Sequence, residues 1–266
     1  MTITRYTLTE VMNPITLNVE GEASVEITIP KHSVGTLYIV AQGQGTLNLT
    51  IEVEANANYK YLWINQSDKE LVVHEHIILN ENAHLIANYG EMSRGNHRKY
   101  THLEYRGIGS HCEFKGAIIA FNHLKWTIKA DHQARKSYAM VECNAIVLNQ
   151  GTLNLEVIGS ISKGNSGSET HQMSRIMNLG EEVHGVVYPM LLIDENDVAA
   201  SHAASVGQPN EEHVYYLQSR GLTRDDALRL IIMGYLMPIV DAIDDEAIQK
   251  QLTEEITEKV NTQWIQ

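Results

Sequence analysis

The residues best suited to chemistry in this sequence are its histidines, of which there are 13. His74-Glu75-His76 puts two imidazoles on one side of an extended segment, because side chains alternate along a strand. Glu81 follows a few residues later. Two imidazoles and a carboxylate suit a non-haem iron or a similar metal. The same residues also read as two solvent-facing strand histidines between Val72-Val73 and Ile77-Ile78. Cys112 and Cys143 are far apart and form no C-x-x-C pair; a zinc site with His102 or His111 has no support in spacing, and small buried hydrophobes are the plainer reading. Lys129, Asp131, His132, Arg135 and Lys136 form a charged cluster. A polysaccharide lyase would use such a cluster along one face of a β-helix, and a solvated turn has the same composition. Nucleophile elbow, phosphate loop and paired-glycine dinucleotide fingerprint are all missing. Gly164-Asn165-Ser166-Gly167-Ser168 lacks the lysine and helix of a phosphate loop and reads as a flexible turn.

The elements that must position these residues are strands. Alternating stretches rich in Val, Ile, Thr, Tyr and Leu run from about residue 20 to 200. They include Ala23–Ile29, Thr36–Val40, Thr46–Glu54, Lys60–Ile64, Glu70–Leu79, His84–Tyr89, His111–Phe121, Lys125–Lys129, Ser137–Leu148 and Thr152–Ile161. Turn clusters such as Asn56-Ala57-Asn58, Asn80-Glu81-Asn82 and Gly107–Ser110 separate them. Proline is nearly absent, as continuous ladders require. One repeat is literal: Gln44-Gly45-Thr46-Leu47-Asn48-Leu49 returns as Gln150-Gly151-Thr152-Leu153-Asn154-Leu155. Looser echoes are Asn82-Ala83-His84 and Gly109-Ser110-His111. Short strands with echoes fit a solenoid, a sandwich or a barrel. The lack of Asn-Gly and Asp-Gly hairpin signals favours a β-helix.

Beyond residue 208 the pattern turns helical. Pro209-Asn210-Glu211-Glu212 reads as a helix start and Gly221 as its stop. Thr223-Arg224-Asp225-Asp226 has the form of a capping box, with an apolar stripe through Ala227, Leu230, Ile231 and Tyr235. A third helix is predicted over Asp244–Val260. The fold class expected is mainly β, with an N-terminal segment over 1–20, a β-helix core over 21–205 and a helical region over 206–266.

Composition narrows the function. Lys and Arg total 20 against 33 Asp and Glu, a formal charge of -13. Basic stretches are short, which argues against nucleic acid and against an anionic membrane surface. No run reaches membrane-spanning length, and 1–14 contains no secretory apolar core. Two cysteines without a secretory signal point to a reducing, cytoplasmic setting.

The most specific stretch is Tyr188–Leu236. It contains Pro189-x-Leu191-x-Ile193, Asp197-Val198, Ser201-His202-x-Ala204-x-x-Gly207 and Tyr216-Leu217-x-Ser219-Arg220-Gly221. This stretch closely resembles the SufB/SufD family of iron–sulfur cluster assembly proteins. A weaker likeness extends back to about Thr101, through His111, Gly116 and Met173–Gly180. The resemblance implies a right-handed parallel β-helix with a helical C-terminal region, and a non-catalytic scaffold subunit. It implies pairing with itself or with a SufB-like paralogue, docking of a SufC-type ABC ATPase, and an iron–sulfur cluster assembled transiently at the pair's interface, with none tightly bound. His202 falls on the family's cluster-assembly histidine, and a neutral imidazole is a good iron ligand. The docking face implied comprises Glu211, Tyr216, Arg220, Arg224, Asp226, Leu230 and Ile231, although apolar residues of an amphipathic helix more often pack on their own protein.

The sequence also departs from the family. Ser201 and Ala203 flank His202 where SufB-type members carry glutamates. Ser174 stands where a gapless count puts their sulfur-accepting cysteine, and a hydroxyl forms no persulfide. The site is therefore SufD-like, and the chain is shorter than typical members. Either a paralogue supplies the sulfur chemistry, or Cys112 or Cys143 substitutes, or cluster building has been lost. From a different class, His74, His76 and Glu81 resemble half of a cupin metal motif, which would make the chain a cupin-like metalloenzyme.

Overall fold

The structure is a computed structural model and describes residues 3–8, 14–148, 150–180, 182–241 and 246–262. Its strands are β1 (Ile3–Thr7), β2 (Ile15–Ile29), β3 (Val34–Val53), β4 (Asn58–Asn65), β5 (Leu71–Leu79), β6 (His84–Glu91) and β7 (His97–Tyr105). They continue with β8 (His111–Ala120), β9 (His123–His132), β10 (Tyr138–Leu148), β11 (Thr152–Ile161), β12 (Ser168–Leu179), β13 (His184–Ile193) and β14 (Val198–Gly207). Three helices follow: α1 (Glu211–Ser219), α2 (Arg224–Val240) and α3 (Glu246–Thr262). The start expected for the third helix at Asp244 lies outside the described residues.

Every strand pairing is parallel. Consecutive strands such as β5 and β6 lie on opposite faces and each pairs with the strand two further on, so the chain winds as a β-solenoid of about seven turns. One face holds β5, β7, β9, β11 and β13; the other holds β4, β6, β8, β10, β12 and β14. β2 and β3 are long enough to round a corner and contribute to both faces. The literal repeat now has a reason. Thr46–Leu49 opens the second half of β3 after it rounds its corner and Thr152–Leu155 opens β11 on the same face, with Leu47, Leu49, Leu153 and Leu155 all turned into the core.

The looser echoes mark the opposite corner. His32, Asn56, Asn82, Gly109, Lys136 and Gly167 occupy the same turn position in successive coils, each with φ between 51° and 73°. Gly and Asn enter this left-handed region most readily, which explains the turn clusters in the sequence. Each of these residues donates its N–H to a carbonyl of the next coil, at 2.6 to 3.2 Å. A small residue follows and is buried in most coils: Ala57, Ala83, Ser110, Ser137 and Ser168. Backbone donors at the corners are thereby satisfied coil to coil, as buried amides require.

Two large apolar cores result among the described residues, beside a small cluster of Val214, Ala227 and Leu228. One fills the lumen between the faces, with Leu37, Ile51, Tyr61, Trp63, Leu85, Phe114, Trp126, Val141 and Leu155 among its members. The other lies outside, where α2 and α3 press Ile232, Leu236, Val240, Leu252, Ile256 and Val260 onto Tyr38, Leu62, Ile64, Ile119, Ile146 and Leu148. Helix α2 is apolar nearly all round, so periodicity alone misphases its stripe. Ala227 is buried as expected, Ile231 and Tyr235 are partly buried, Leu230 turns outward, and the buried line is Leu228, Ile232, Leu236 and Val240.

Strands β7 and β12 were absent from the alternating stretches read in the sequence. Their first inward positions are polar: His97, Lys99 and Thr101 in β7 before Leu103 and Tyr105, and Ser168, Thr170, Gln172 and Ser174 in β12 before Ile176. A period-two hydrophobic pattern cannot report such strands.

Candidate functional site at the open end of the solenoid

The last coil differs from those before it. Strands β13 and β14 are the edge strands at this end, each paired on one side only, as β1 is at the other end. Pro189 lies within β13, where an edge position tolerates the missing donor. Every residue of β14 from Ala199 to Gly207 is exposed. Apolar side chains line this end uncovered: Tyr188 is 51% exposed, Leu192 57% and Val206 46%.

His202 stands at the centre of β14. It is in register with Gln172 of β12, which is in register with Val141 of β10. Val141 and Gln172 are buried toward the lumen. Side chains in register on parallel neighbours share a side, so His202 occupies the lumen side of a coil that has no coil above it. Its neighbour Ser201 faces the other way, where its hydroxyl meets Nδ1 of His171 at 2.8 Å. Among the described residues no three His, Cys, Asp or Glu side chains gather in a way that could hold a metal. A metal on His202 would therefore need ligands from outside the described residues.

Ser174 is buried in β12, in register with Ala204 on one side and Cys143 on the other. The cysteines are both fully buried. Burial pushes the Cys112 thiol up to about 12 and raises that of Cys143 as well. Since the thiolate is the nucleophile, neither side chain is poised to accept sulfur.

His74 and His76 do share the outer face of β5, but they serve separate contacts. His74 stacks on Tyr100 with ring centroids 5.0 Å apart. His76 stacks on His102 at 4.9 Å and donates from Nε2 to Glu104 at 2.8 Å. Glu81 lies in the turn after the strand. These three residues form no metal group, and the wholly parallel fold excludes the antiparallel cupin barrel. The cupin-like alternative is thereby corrected. The charged cluster around Lys129 divides in the same way: Lys129 pairs with Asp131 at 3.1 Å, while His132 is entirely buried.

The expected docking residues lie on α1 and α2. Asn210 caps α1 by accepting from the Glu212 amide. Glu211 takes both guanidinium nitrogens of Arg224, at 2.7 and 2.6 Å, which ties the two helices together. Arg220 covers the ring of Tyr216 at 5.2 Å. Asp226 accepts from the Thr223 hydroxyl and from Arg229. Tyr215, Tyr216 and Leu230 are exposed, whereas Ile231 is partly buried against the helix core.

Sequence reading missed a polar network deep in the lumen. The Lys99 ammonium is 1% exposed and sits over Trp63 at 3.7 Å, Tyr89 at 4.5 Å and Trp126 at 5.1 Å. Its carboxylate partner is Glu91, at 3.4 Å, which also accepts from Trp63 Nε1 and Asn65. Glu75 accepts from Tyr61, Tyr89 and Thr101. Burial pulls the lysine below its usual range, and Glu75 and Glu91 oppose that. The available signal was the alternation of Lys99 and Thr101 with the outward Arg98 and Tyr100.

Comparison with known proteins agrees with this architecture. The SufBD core domain of the SUF system of iron–sulfur cluster assembly matches residues 7–235. The chain is 34% identical over 156 residues to the iron–sulfur cluster assembly protein SufD of Bacillus subtilis strain 168, covering 58% of this chain and 36% of that protein. It is 35% identical over 72 residues to SufD of Escherichia coli K12, covering 27% and 17%. A SufBD family protein of Mycobacterium bovis is 25% identical over 142 residues, covering 52% and 17%. The chain thus spans well under half the length of these relatives. With the match running through nearly all of the solenoid and into α2, the chain belongs to the SufBD core family of the SUF iron–sulfur cluster assembly system.

Proposed function

We propose that this chain is a non-catalytic scaffold subunit of a Suf-type complex. It pairs through the open end of its solenoid with a second copy or a SufB-like paralogue, and it docks a SufC-type ABC ATPase on α1 and α2. The observation that carries this reading is the uncovered last coil. The two edge strands leave Val206 exposed on the lumen side and Tyr188 and Leu192 exposed on the outer rim of the last coil, and a second β-helix end would cover both. Pairing there would enclose His202, and the partner would supply further ligands, which the described residues do not gather around it. The iron–sulfur cluster is the cargo of that interface and is released after assembly. ATP chemistry belongs to the partner, whose contact would involve Tyr216, Arg220 and Leu230, with the Glu211–Arg224 and Asp226–Arg229 pairs holding the helices in place. No helix of the described residues is long and apolar enough to cross a membrane, which is compatible with work in the cytoplasm.

The test is co-expression with the SufC-type ATPase, followed by the mass of the purified complex. A stable complex is expected, and it is lost when the chain is truncated after Gln208. In a reconstituted system His202→Ala keeps the fold and lowers cluster maturation. A chain that purifies alone and never retains the ATPase overturns the docking assignment. Unchanged maturation removes His202 from the mechanism.

A further inference from the structure

The layer of the lumen directly beneath His202 contains three buried polar atoms without a hydrogen-bond partner: Thr170 Oγ1, Gln172 Oε1 and Ser174 Oγ. All three belong to β12, at alternate positions on its inward side. Gln172 is the central one, and its orientation is determined by chemistry. Its side-chain amide lies 3.1 Å from the main-chain carbonyl of Met190 on the opposite face. A carbonyl only accepts, so the amide nitrogen must face Met190 and the oxygen must face away. Gly159 leaves the room for this arrangement. A Cβ there would come 2.7 Å from Thr170 Oγ1 and 3.1 Å from Gln172 Nε2.

Below Gln172 in the same column is Val141, which offers its side no donor; above it is His202. The two side chains are not hydrogen-bonded in the structure, but neighbouring rungs are about 4.8 Å apart, so a turn of the exposed imidazole brings its N–H within reach of the glutamine oxygen. A buried acceptor left without a donor costs about 1–3 kcal/mol, and this one has a single ionisable donor in register with it. We propose that Gln172 is the positioning residue of His202. Its carbonyl oxygen accepts the imidazole N–H, sets the tautomer, and leaves the other ring nitrogen with a free lone pair directed out of the open end. Ligating histidines are held in this way by an outer partner on their second nitrogen. The inference rests on His202 being the ligand of the proposed interface.

Two measurements keep the parts separate. The first is the 15N imidazole spectrum of His202 in the histidine-labelled protein, assigned by its loss in His202→Ala. One tautomer is expected to dominate in the wild type. Gln172→Leu should populate both, and Gln172→Glu, which keeps an acceptor of the same shape, should restore the dominant form. A His202 spectrum that is the same in all three proteins overturns the positioning role, whatever the histidine does in assembly. The second is cluster maturation in the reconstituted complex. Gln172→Leu should lower it by about tenfold, in line with the loss of an outer-shell partner, and Gln172→Glu should retain most of it. Full maturation in Gln172→Leu overturns the proposal, while full maturation in His202→Ala overturns the reading on which it rests.

Discussion

Lys99 and His202 both occupy the lumen side of a strand in the same solenoid, but one is sealed and the other is open. Around Lys99 the coils continue above and below, so its charge is enclosed by three aromatic rings and one carboxylate. Around His202 the winding has stopped, and the side that would be core is solvent. The residue types match the two settings. The closed coils are lined by Trp, Tyr, Leu and Ile, whereas β14 between Val198 and Val206 is built of Ala, Ser and one His. Small residues waste little burial where there is no core and let a second surface approach closely. A buried charge in the first region is part of the folding free energy of this chain. A polar group in the second is available to a partner.

The largest effect that would sharpen this contrast is expected at Lys99. Lys99→Met removes the cation and leaves Glu91 with Trp63 and Asn65 as its donors. Taking one partner from a buried ion pair costs about 3–5 kcal/mol, so the midpoint of urea unfolding should fall steeply. A change below about 1 kcal/mol would show that the lumen adapts to an apolar chain there, and the contrast with the open end would lose its energetic basis.

A second, pH-dependent effect belongs to His132 at the rim of the closed region. Burial lowers this imidazole from 6.5 to about 4. It stacks on Tyr105 at 4.5 Å, and Nδ1 lies 2.6 Å from the Ser137 hydroxyl. The unfolded chain therefore takes up a proton between pH 6.5 and 4 that the folded chain refuses. The stabilisation is present in full above about 6.5 and is lost as pH falls through that window, by roughly 3 kcal/mol. His132→Phe, which keeps a ring on Tyr105, should remove about one proton from the pH dependence of unfolding. An unaltered slope would mean that this histidine protonates in the folded state.

The smallest effect on the monomer is expected at the open end. Tyr188→Ser with Leu192→Asp alters surface that this chain leaves exposed, so the unfolding free energy should stay within about 0.5 kcal/mol of the wild type. Association should nevertheless be lost, as read by sedimentation of the chain alone and with a SufB-like partner. Intact association would move the pairing surface elsewhere. A large drop in monomer stability would mean that the last coil is already part of the core.

Much of the solenoid is legible in the residues themselves. Strand after strand shows inward Leu, Ile and Val in alternation, and the missing hairpin dipeptides favour a β-helix over antiparallel neighbours. The turn echoes at Asn82 and Gly109 follow from a left-handed backbone repeated at one corner. Legibility fails at β7 and β12 because their inward residues are polar, and at α2 because apolar residues surround it. The open-end site was found through the ordered likeness around His202 rather than through periodicity, since Ala and Ser on both faces of β14 carry no pattern.

Sequence alone therefore determined the class of fold, the start of the helical region and the family likeness, because alternation, caps and ordered motifs act between residues near in the chain. Tertiary structure decided which face of α2 is buried, that His74 and His76 serve stacking and Glu104 rather than a metal, and that Gln172 lies beneath His202. The two residues are 30 positions apart and are neighbours only because one turn of the solenoid brings their backbones into register. Contacts of this kind depend on the length of each coil, which no local pattern of residues specifies.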